Sequence, residues 1–260
     1  LLAEAMQLAY ADRAAYLGDA DFVDVPVKGL LDKAYLAERR QLISPYGAAG
    51  HYEPGTPPGA KPRAAAPPIP EHGTTHFVVA DKDGNVVSMT STVESIFGSQ
   101  LIANGYFLNN ELTDFDFVPV KDGQPTANRV EAGKRPLSSM SPTIVYGPDG
   151  KVILAVGSAG GKRIIMHVTK TLIGVLDWGL SAQDAMELPN IFFGQQGVLI
   201  ENDDLGKAIA AKMKPFGYSF TPTELGSKLN AIERVGDGWR GAADPRGPGT
   251  SSVDGAPAQN

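Results

Sequence analysis

The 260-residue chain contains no cysteine, which removes disulfides, thiolate metal ligands and cysteine nucleophiles together. Histidine is scarce, and the four present (His51, His72, His76, His167) show no HxxxH or comparable ligand spacing, so no metal site is expected. Basic runs are missing too. Lysine and arginine total 23 against 29 acidic residues, a net charge of −6, and that sign argues against nucleic acid or an anionic membrane as partner. No apolar stretch approaches the roughly 20 residues that cross a bilayer, and the start lacks a basic stretch followed by an apolar core. The chain instead opens on Leu-Leu-Ala-Glu-Ala-Met, which has the look of helix interior without an initiator methionine; further residues upstream are therefore expected. What remains is an ordinary globular composition, 42% apolar and 20% charged, for which a small-molecule substrate is the default.

Periodicity divides the chain into three stretches. Leu2, Met6, Ala9, Tyr10 and Ala14 recur at helical spacing and predict an amphipathic helix that stops at Gly18. A second helix is expected over residues 30–43. From His51 to His72 the chain is dense in proline (Pro54, Pro57, Pro58, Pro62, Pro67, Pro68, Pro70), so an extended, mobile connector is expected. Beyond it the period becomes that of strands. Residues 75–80 and 86–92 flank Asp81-Lys82-Asp83-Gly84-Asn85, a hairpin turn, and a second hairpin is expected around Gly147-Pro148-Asp149-Gly150. Gly157-Ser158-Ala159-Gly160-Gly161 leads into an apolar-periodic helix ended by Gly179, and Ser181 with Asp184 marks the cap of a short helix. A helix over about 204–216, a strand over 229–235 and a disordered tail beyond Pro245 complete the reading.

Thr74 thus opens a strand behind a glycine-ended tether. A threonine pair often does no more than begin a strand. A threonine at a chain terminus, however, carries its own base: the α-amine has a pKa of roughly 7.7–8.0, close to working pH, and can activate the hydroxyl.

Several motifs occur in one order: Gly73-Thr74-Thr75-His76-Phe77, Phe97-Gly98-Ser99, Leu108-Asn109-Asn110-Glu111-Leu112-Thr113-Asp114-Phe115, Lys134-Arg135-Pro136-Leu137-Ser138-Ser139-Met140-Ser141-Pro142-Thr143, Gly157-Ser158-Ala159-Gly160-Gly161 and Asp244-Pro245-Arg246. Tyr10-Ala11-Asp12-Arg13 and Leu17-Gly18-Asp19 precede them. The ordered set resembles the gamma-glutamyltransferase family of self-cleaving N-terminal-nucleophile hydrolases.

That resemblance implies an α+β fold, a four-layer αββα sandwich with two stacked antiparallel sheets, Thr74 opening a central strand. It implies cleavage between Gly73 and Thr74, so that residues 1–73 end the large subunit and residues 74–260 form the small catalytic subunit of a heterodimer, with upstream large-subunit residues absent from this chain. Thr74 is then the nucleophile, and Thr92, opposite it on the hairpin, orients or activates it. Gly160 and Gly161 offer free N–H groups at a helix start, suited to an oxyanion. Glu111 and Asp114 would hold the donor's ammonium, and Ser138 and Ser139 its carboxylate. The reaction implied moves a gamma-glutamyl group from glutathione or a related amide onto Thr74 and then to water or an amino acid, without metal or organic cofactor. Exported members are common, which favours a periplasmic or secreted setting.

Three departures stand out. Glu94 replaces an asparagine usual in the family and adds a third acid to the ammonium site, unfavourable for the neighbouring donor carboxylate unless compensated. Residues 115–137 contain no tyrosine, so a tyrosine-bearing lid is not expected. The family's carboxylate-binding arginine lies upstream, and Arg39, Arg40 and Arg63 do not match its motif. A related acylase of the glutaryl-cephalosporin type and a catalytically silent fragment remain as alternatives; the three acids weigh against the first, because a glutaryl group has no amine to satisfy them.

Overall fold

Residues 1–44, 51–66, 73–194 and 197–252 are described by the computed structural model of the chain. The first helix, α1 (Leu2–Tyr16), forms where the spacing predicts it, but it is not an amphipathic surface helix. Burial reaches round it and includes the acids Glu4 and Asp12. Glu4 accepts hydrogen bonds from the hydroxyls of Tyr52 (3.1 Å) and Tyr218 (2.6 Å). Asp12 accepts from the Tyr35 hydroxyl (2.7 Å), Arg39 (3.1 Å) and the Gly55 amide (2.8 Å). Buried carboxylates need such partners, since stranding one away from water costs several kcal/mol.

The helix expected over 30–43 forms as the shorter α3 (Lys33–Arg40), preceded by a separate turn of helix, α2 (Val27–Leu30). Asp32 sets its start, its carboxylate accepting from the amides of Ala34 and Tyr35 (both 2.9 Å) as a helix N-cap. The connector is also corrected. Over residues 51–66 it lies against the body: Tyr52 is buried, the Gly55 carbonyl accepts from the Tyr16 hydroxyl (2.6 Å), and Ala64 bridges Thr126. Proline suits such packing because it has no N–H to leave unsatisfied. The remainder of the expected connector, residues 67–72, is outside the described residues.

Strands β1 (Thr75–Ala80) and β2 (Val86–Ser91) form the expected hairpin, with Thr75 opposite Ser91. Its turn is set by Asp81, which accepts from the amides of Asp83 and Asn85 (both 2.9 Å). Two small hairpins follow, β3 (Ile102–Ala103) with β4 (Tyr106–Phe107) and β5 (Val120–Lys121) with β6 (Gln124–Pro125). Between them, Glu111–Asp114 is a single 3₁₀ turn.

The order continues with β7 (Thr143–Tyr146), β8 (Val152–Gly157), α4 (Arg163–Leu176), α5 (Ala182–Glu187), β9 (Ile191–Gly194), β10 (Gly197–Glu201), α6 (Asp204–Met213), β11 (Phe220–Thr223), β12 (Asn230–Val235) and β13 (Gly238–Ala243). A four-stranded antiparallel sheet takes the order β13-β12-β8-β7, and a three-stranded sheet the order β11-β10-β9. Nothing in the sequence reading anticipated the second sheet; Pro222 within β11 speaks against a strand, and it is tolerated because β11 is an edge.

Helices α4 and α5 cover one face of the four-stranded sheet through Leu154, Val156, Ile164, Val168, Ala182, Met186, Leu229, Ala231 and Ala242. The β1–β2 hairpin covers the other, touching β8 and β12. Strand β8 is accordingly buried on both sides, and its Ile-Leu-Ala-Val run shows no polar alternation. Helix layer, sheet and hairpin are three of the four layers of the αββα sandwich. Among the described residues β1 pairs with β2 alone. The outward face of the hairpin carries exposed Phe77, Val79, Val87 and Met89. Among the described residues no helix is long and apolar enough to cross a membrane.

The tail is likewise better held than expected. Arg246 donates to the carbonyls of Met186 (2.9 Å), Glu187 (2.8 Å) and Leu188 (3.1 Å), closing the end of α5. Residues 253–260 fall outside the described residues.

Candidate active site

The hairpin register puts Thr92, one residue past β2, opposite Thr74, one residue before β1. The Thr92 hydroxyl donates to the Gly73 carbonyl, and its oxygen accepts from the Glu94 amide (2.8 Å). The contact expected between Thr92 and the Thr74 hydroxyl is thus made with the bond preceding Thr74. Gly73 adopts φ +46°, and a Cβ there would stand 2.5 Å from the Glu94 carbonyl oxygen, so only glycine fits.

One cleft of about 290 Å³ is lined by Thr74, Thr92, Glu94, Glu111, Asp114, Ser138, Ser139, Met140, Gly161 and Ile164. Every residue singled out from the sequence lies on it or next to it: Gly160 is adjacent to Gly161, and Gly73 to Thr74. Met140 and Ile164, apolar and without a chemical signature, were not anticipated.

The glycine turn joins β8 to α4. Gly160 (φ +136°) and Gly161 (φ +58°) both occupy conformations that disfavour side chains. A Cβ on Gly160 would also meet the His167 ring at 3.1 Å. The carbonyls of Gly160 and Gly161 accept from Arg163 (3.2 Å) and Ile164 (2.9 Å), while among the described residues their N–H groups make no hydrogen bond. They lie at the positive end of the α4 dipole. His167 beneath them is buried, its Nδ1 3.0 Å from Ser158 Oγ. Burial, then Lys170 and Arg163, push its pKa down to about 3. It is a neutral support, out of reach of the cleft.

The acids form the opposite wall. Glu111 is pushed up to about 7, first by burial, then by Asp114 and Glu94, and its Oε1 has no hydrogen-bond partner among the described residues. Asp114 is raised by burial and by Glu94, against a hydrogen bond with Glu111 and the pull of Lys162 and Arg13. Glu94 is buried at φ +72°, and Ser95 Oγ (2.5 Å) and Asn110 Nδ2 (3.0 Å) donate to its Oε2. Three acids thus crowd one half-buried wall, and their mutual repulsion adds to burial in raising Glu111 and Asp114.

The family model for gamma-glutamyltranspeptidase matches residues 1–253. The chain belongs to this family. It is 39% identical over 257 residues to the glutathione hydrolase proenzyme of Bacillus subtilis (strain 168), covering 94% of this chain and 43% of that protein. Among solved structures, the gamma-glutamyltranspeptidase of Pseudomonas nitroreducens complexed with L-DON superposes with a TM-score of 0.59 at 34% identity, over 69% of this chain and 98% of that one. The cephalosporin acylase of Bacillus halodurans gives a TM-score of 0.78 at 25% identity, over 94% of this chain and 42% of that one. The chain thus spans under half the length of the curated relative it matches, and shares with these family members the α+β N-terminal-nucleophile hydrolase fold.

Proposed function

We propose that this chain carries the nucleophile of a self-cleaving gamma-glutamyl hydrolase and transferase, with Thr74 as that nucleophile. In maturation, Thr74 Oγ attacks the Gly73 carbonyl carbon; the peptide C–N bond breaks, an ester forms, and the α-amine of Thr74 is released. Water hydrolyses the ester, leaving residues 1–73 and 74–260 as separate chains of one heterodimer. The Thr92 hydroxyl polarises the Gly73 carbonyl during the attack. In turnover the α-amine takes the Thr74 hydroxyl proton as Oγ attacks the gamma-glutamyl carbonyl. The N–H groups of Gly160 and Gly161 receive the oxyanion, and the proton passes to the leaving amine. Water or an amino acid then attacks the acyl ester and regenerates Thr74. Glu94, Glu111 and Asp114 hold the donor's ammonium, and Ser138 and Ser139 its carboxylate.

The observation that carries this reading is the convergence of Thr74, Thr92, three acids, the serine pair and Gly161 on one cleft, with the Thr92 hydroxyl on the carbonyl of the bond to be cut. The Pseudomonas nitroreducens chain supports the subunit division, since nearly all of it matches a share of this chain close to that of residues 74–260. The cephalosporin acylase likeness supports the second reading, in which the acyl group is glutaryl. Against it stand the three acids, for which a glutaryl chain supplies no cation.

Incubation of the purified chain should give two bands on a denaturing gel, divided between Gly73 and Thr74, and Thr74→Ala should leave one. Where the wild type turns over, the same substitution should cost at least ~10³-fold in kcat. A gamma-glutamyl anilide should be preferred to a glutaryl anilide. Turnover retained in Thr74→Ala, or preference for the glutaryl compound, would overturn the proposal.

A further inference from the structure

Two polar walls of the cleft are held by one helix that contributes no lining residue. Tyr10 and Arg13 stand three residues apart on α1 and so share a face. The Tyr10 hydroxyl donates to the carbonyl of Lys162, the residue after Gly161 and the N-cap of α4. Arg13 Nη2 donates to Ser139 Oγ (2.8 Å) and to the Ser138 carbonyl (3.3 Å). The two side chains also touch, Arg13 Cζ lying 5.9 Å from the Tyr10 ring centre. Tyr10 is in turn wedged edge-on against Phe193 (4.9 Å) and Phe192 (5.8 Å) and packs with Met6 and Met166. The brace is therefore rigid at its base and polar at both tips.

From this geometry we infer that Tyr10 and Arg13 are positioning residues, which fix the serine pair relative to the glycine turn and make Ser139 a donor toward an anion. This rests on the proposed function for the identity of that anion, the carboxylate of the gamma-glutamyl donor. A hydroxyl has one hydrogen to give and two lone pairs. A guanidinium can only donate, so Arg13 occupies a lone pair of Ser139 and leaves its hydrogen for the cleft, polarised by the positive charge behind it. Arg13 also attracts Asp114 and so offsets part of the one-signed field in which the donor's carboxylate must settle. Both residues precede Thr74 in sequence. In the matured protein the brace would therefore come from one chain and the walls from the other, with no peptide link to hold them in register.

The test compares Arg13→Met and Arg13→Lys with wild type in the full chain, on two anilides. One is the gamma-glutamyl compound; the other is its 4-aminobutyryl analogue, which keeps the amine and lacks the carboxylate. Arg13→Met should raise KM for the first on the order of tenfold with kcat changed far less, leave the second within about twofold, and be partly rescued by Arg13→Lys. Tyr10→Phe should lower kcat on both donors, because it loosens the glycine turn. Equal losses on the two donors in Arg13→Met, or none on either, would overturn the inference. Wild type that turns over neither anilide would count against the proposed function alone. The brace is then judged by amide exchange, which should accelerate at Ser139, Met140 and Arg163 in the Tyr10→Phe, Arg13→Met double variant while β8 stays protected; unchanged exchange there would sink it.

Discussion

Two clusters of charged side chains, one around Lys170 of α4 and one in the cleft, are built on contrary principles. Lys170 donates to the carbonyls of Met186 (2.9 Å) and Leu188 (2.6 Å) and to Asn190 Oδ1 (2.9 Å). Arg246 pairs there with Asp244 (3.2 Å), Glu201 (3.4 Å) and Asp203 (3.8 Å). Both signs are present and each charge has partners, although burial and Arg246 push Lys170 down to about 7. In the cleft, Glu94, Glu111 and Asp114 share one sign, and among the described residues Glu111 Oε1 has no hydrogen-bond partner. A network of both signs with every group bonded holds a fold together, whereas acids crowded together raise one another's pKa, as they do for Glu111. The contrast separates the Asp244-Pro245-Arg246 motif from the acids of the cleft, which look no different in the sequence.

Breaking the satisfied cluster should have the larger effect on stability. Arg246→Ala removes the cation paired with Asp244 and Glu201 and uncaps α5, and is expected to cost roughly 3 kcal/mol in urea unfolding. The fraction still folded should cleave and turn over normally. Loss of turnover without loss of stability would erase the distinction between the clusters.

Relieving the crowded acids should do the reverse. Glu111 has a pKa raised above that of the unfolded chain, so it favours the folded state below about pH 4.5, and that contribution disappears as pH rises through about 7. Glu111→Gln is therefore expected to raise Tm at pH 8 and leave it unchanged at pH 4.5, while weakening the binding of an ammonium-bearing donor. Equal Tm shifts at both pH values would show that the carboxyl is not burdened.

The smallest effect concerns the seam between hairpin and sheet. His76 lies against Gly157, its Nδ1 2.8 Å from Thr90 Oγ1 and its Nε2 unpartnered among the described residues. Burial lowers its pKa to about 4. A depressed histidine supports the fold above its unfolded value near 6.5, and that support is lost as pH falls toward 4. Unfolding free energy should decline by about 1–3 kcal/mol over this window, and an NMR titration of the ring should show it neutral at pH 5.5. A His76 midpoint near 6.5 would remove the effect.

Much of the hairpin core was legible beforehand because its signals are local. The Asp81 turn, the 143–157 hairpin, the glycines before α4 and the Ser181 cap each follow from neighbouring residues whose conformational preferences agree. The failures have two causes. The packed connector over 51–66 and the anchored Arg246 depend on partners distant in sequence, whereas the cap at Asp32 and the β9–β10 hairpin are local features that carry no strong turn or cap signature. Arg13 illustrates the limit at the site itself: it lies in the Tyr10-Ala11-Asp12-Arg13 motif, yet nothing adjacent to it reveals that it reaches Ser139.

The order of residues alone determined which chemical groups this protein has to work with: a threonine behind a glycine, a glycine turn before a helix, acids three apart and a serine pair, with no thiol among them. Local periodicity also determined most of the strands and helices that carry those groups. Only the folded structure decided that they face one cleft, that the acids there crowd one another while those around Arg246 are each paired, and that α1 spans both walls. Side-chain identity and short-range spacing are properties of the chain, whereas burial and charge compensation arise only when segments more than a hundred residues apart, such as Arg13 and Ser139, exclude water from between them.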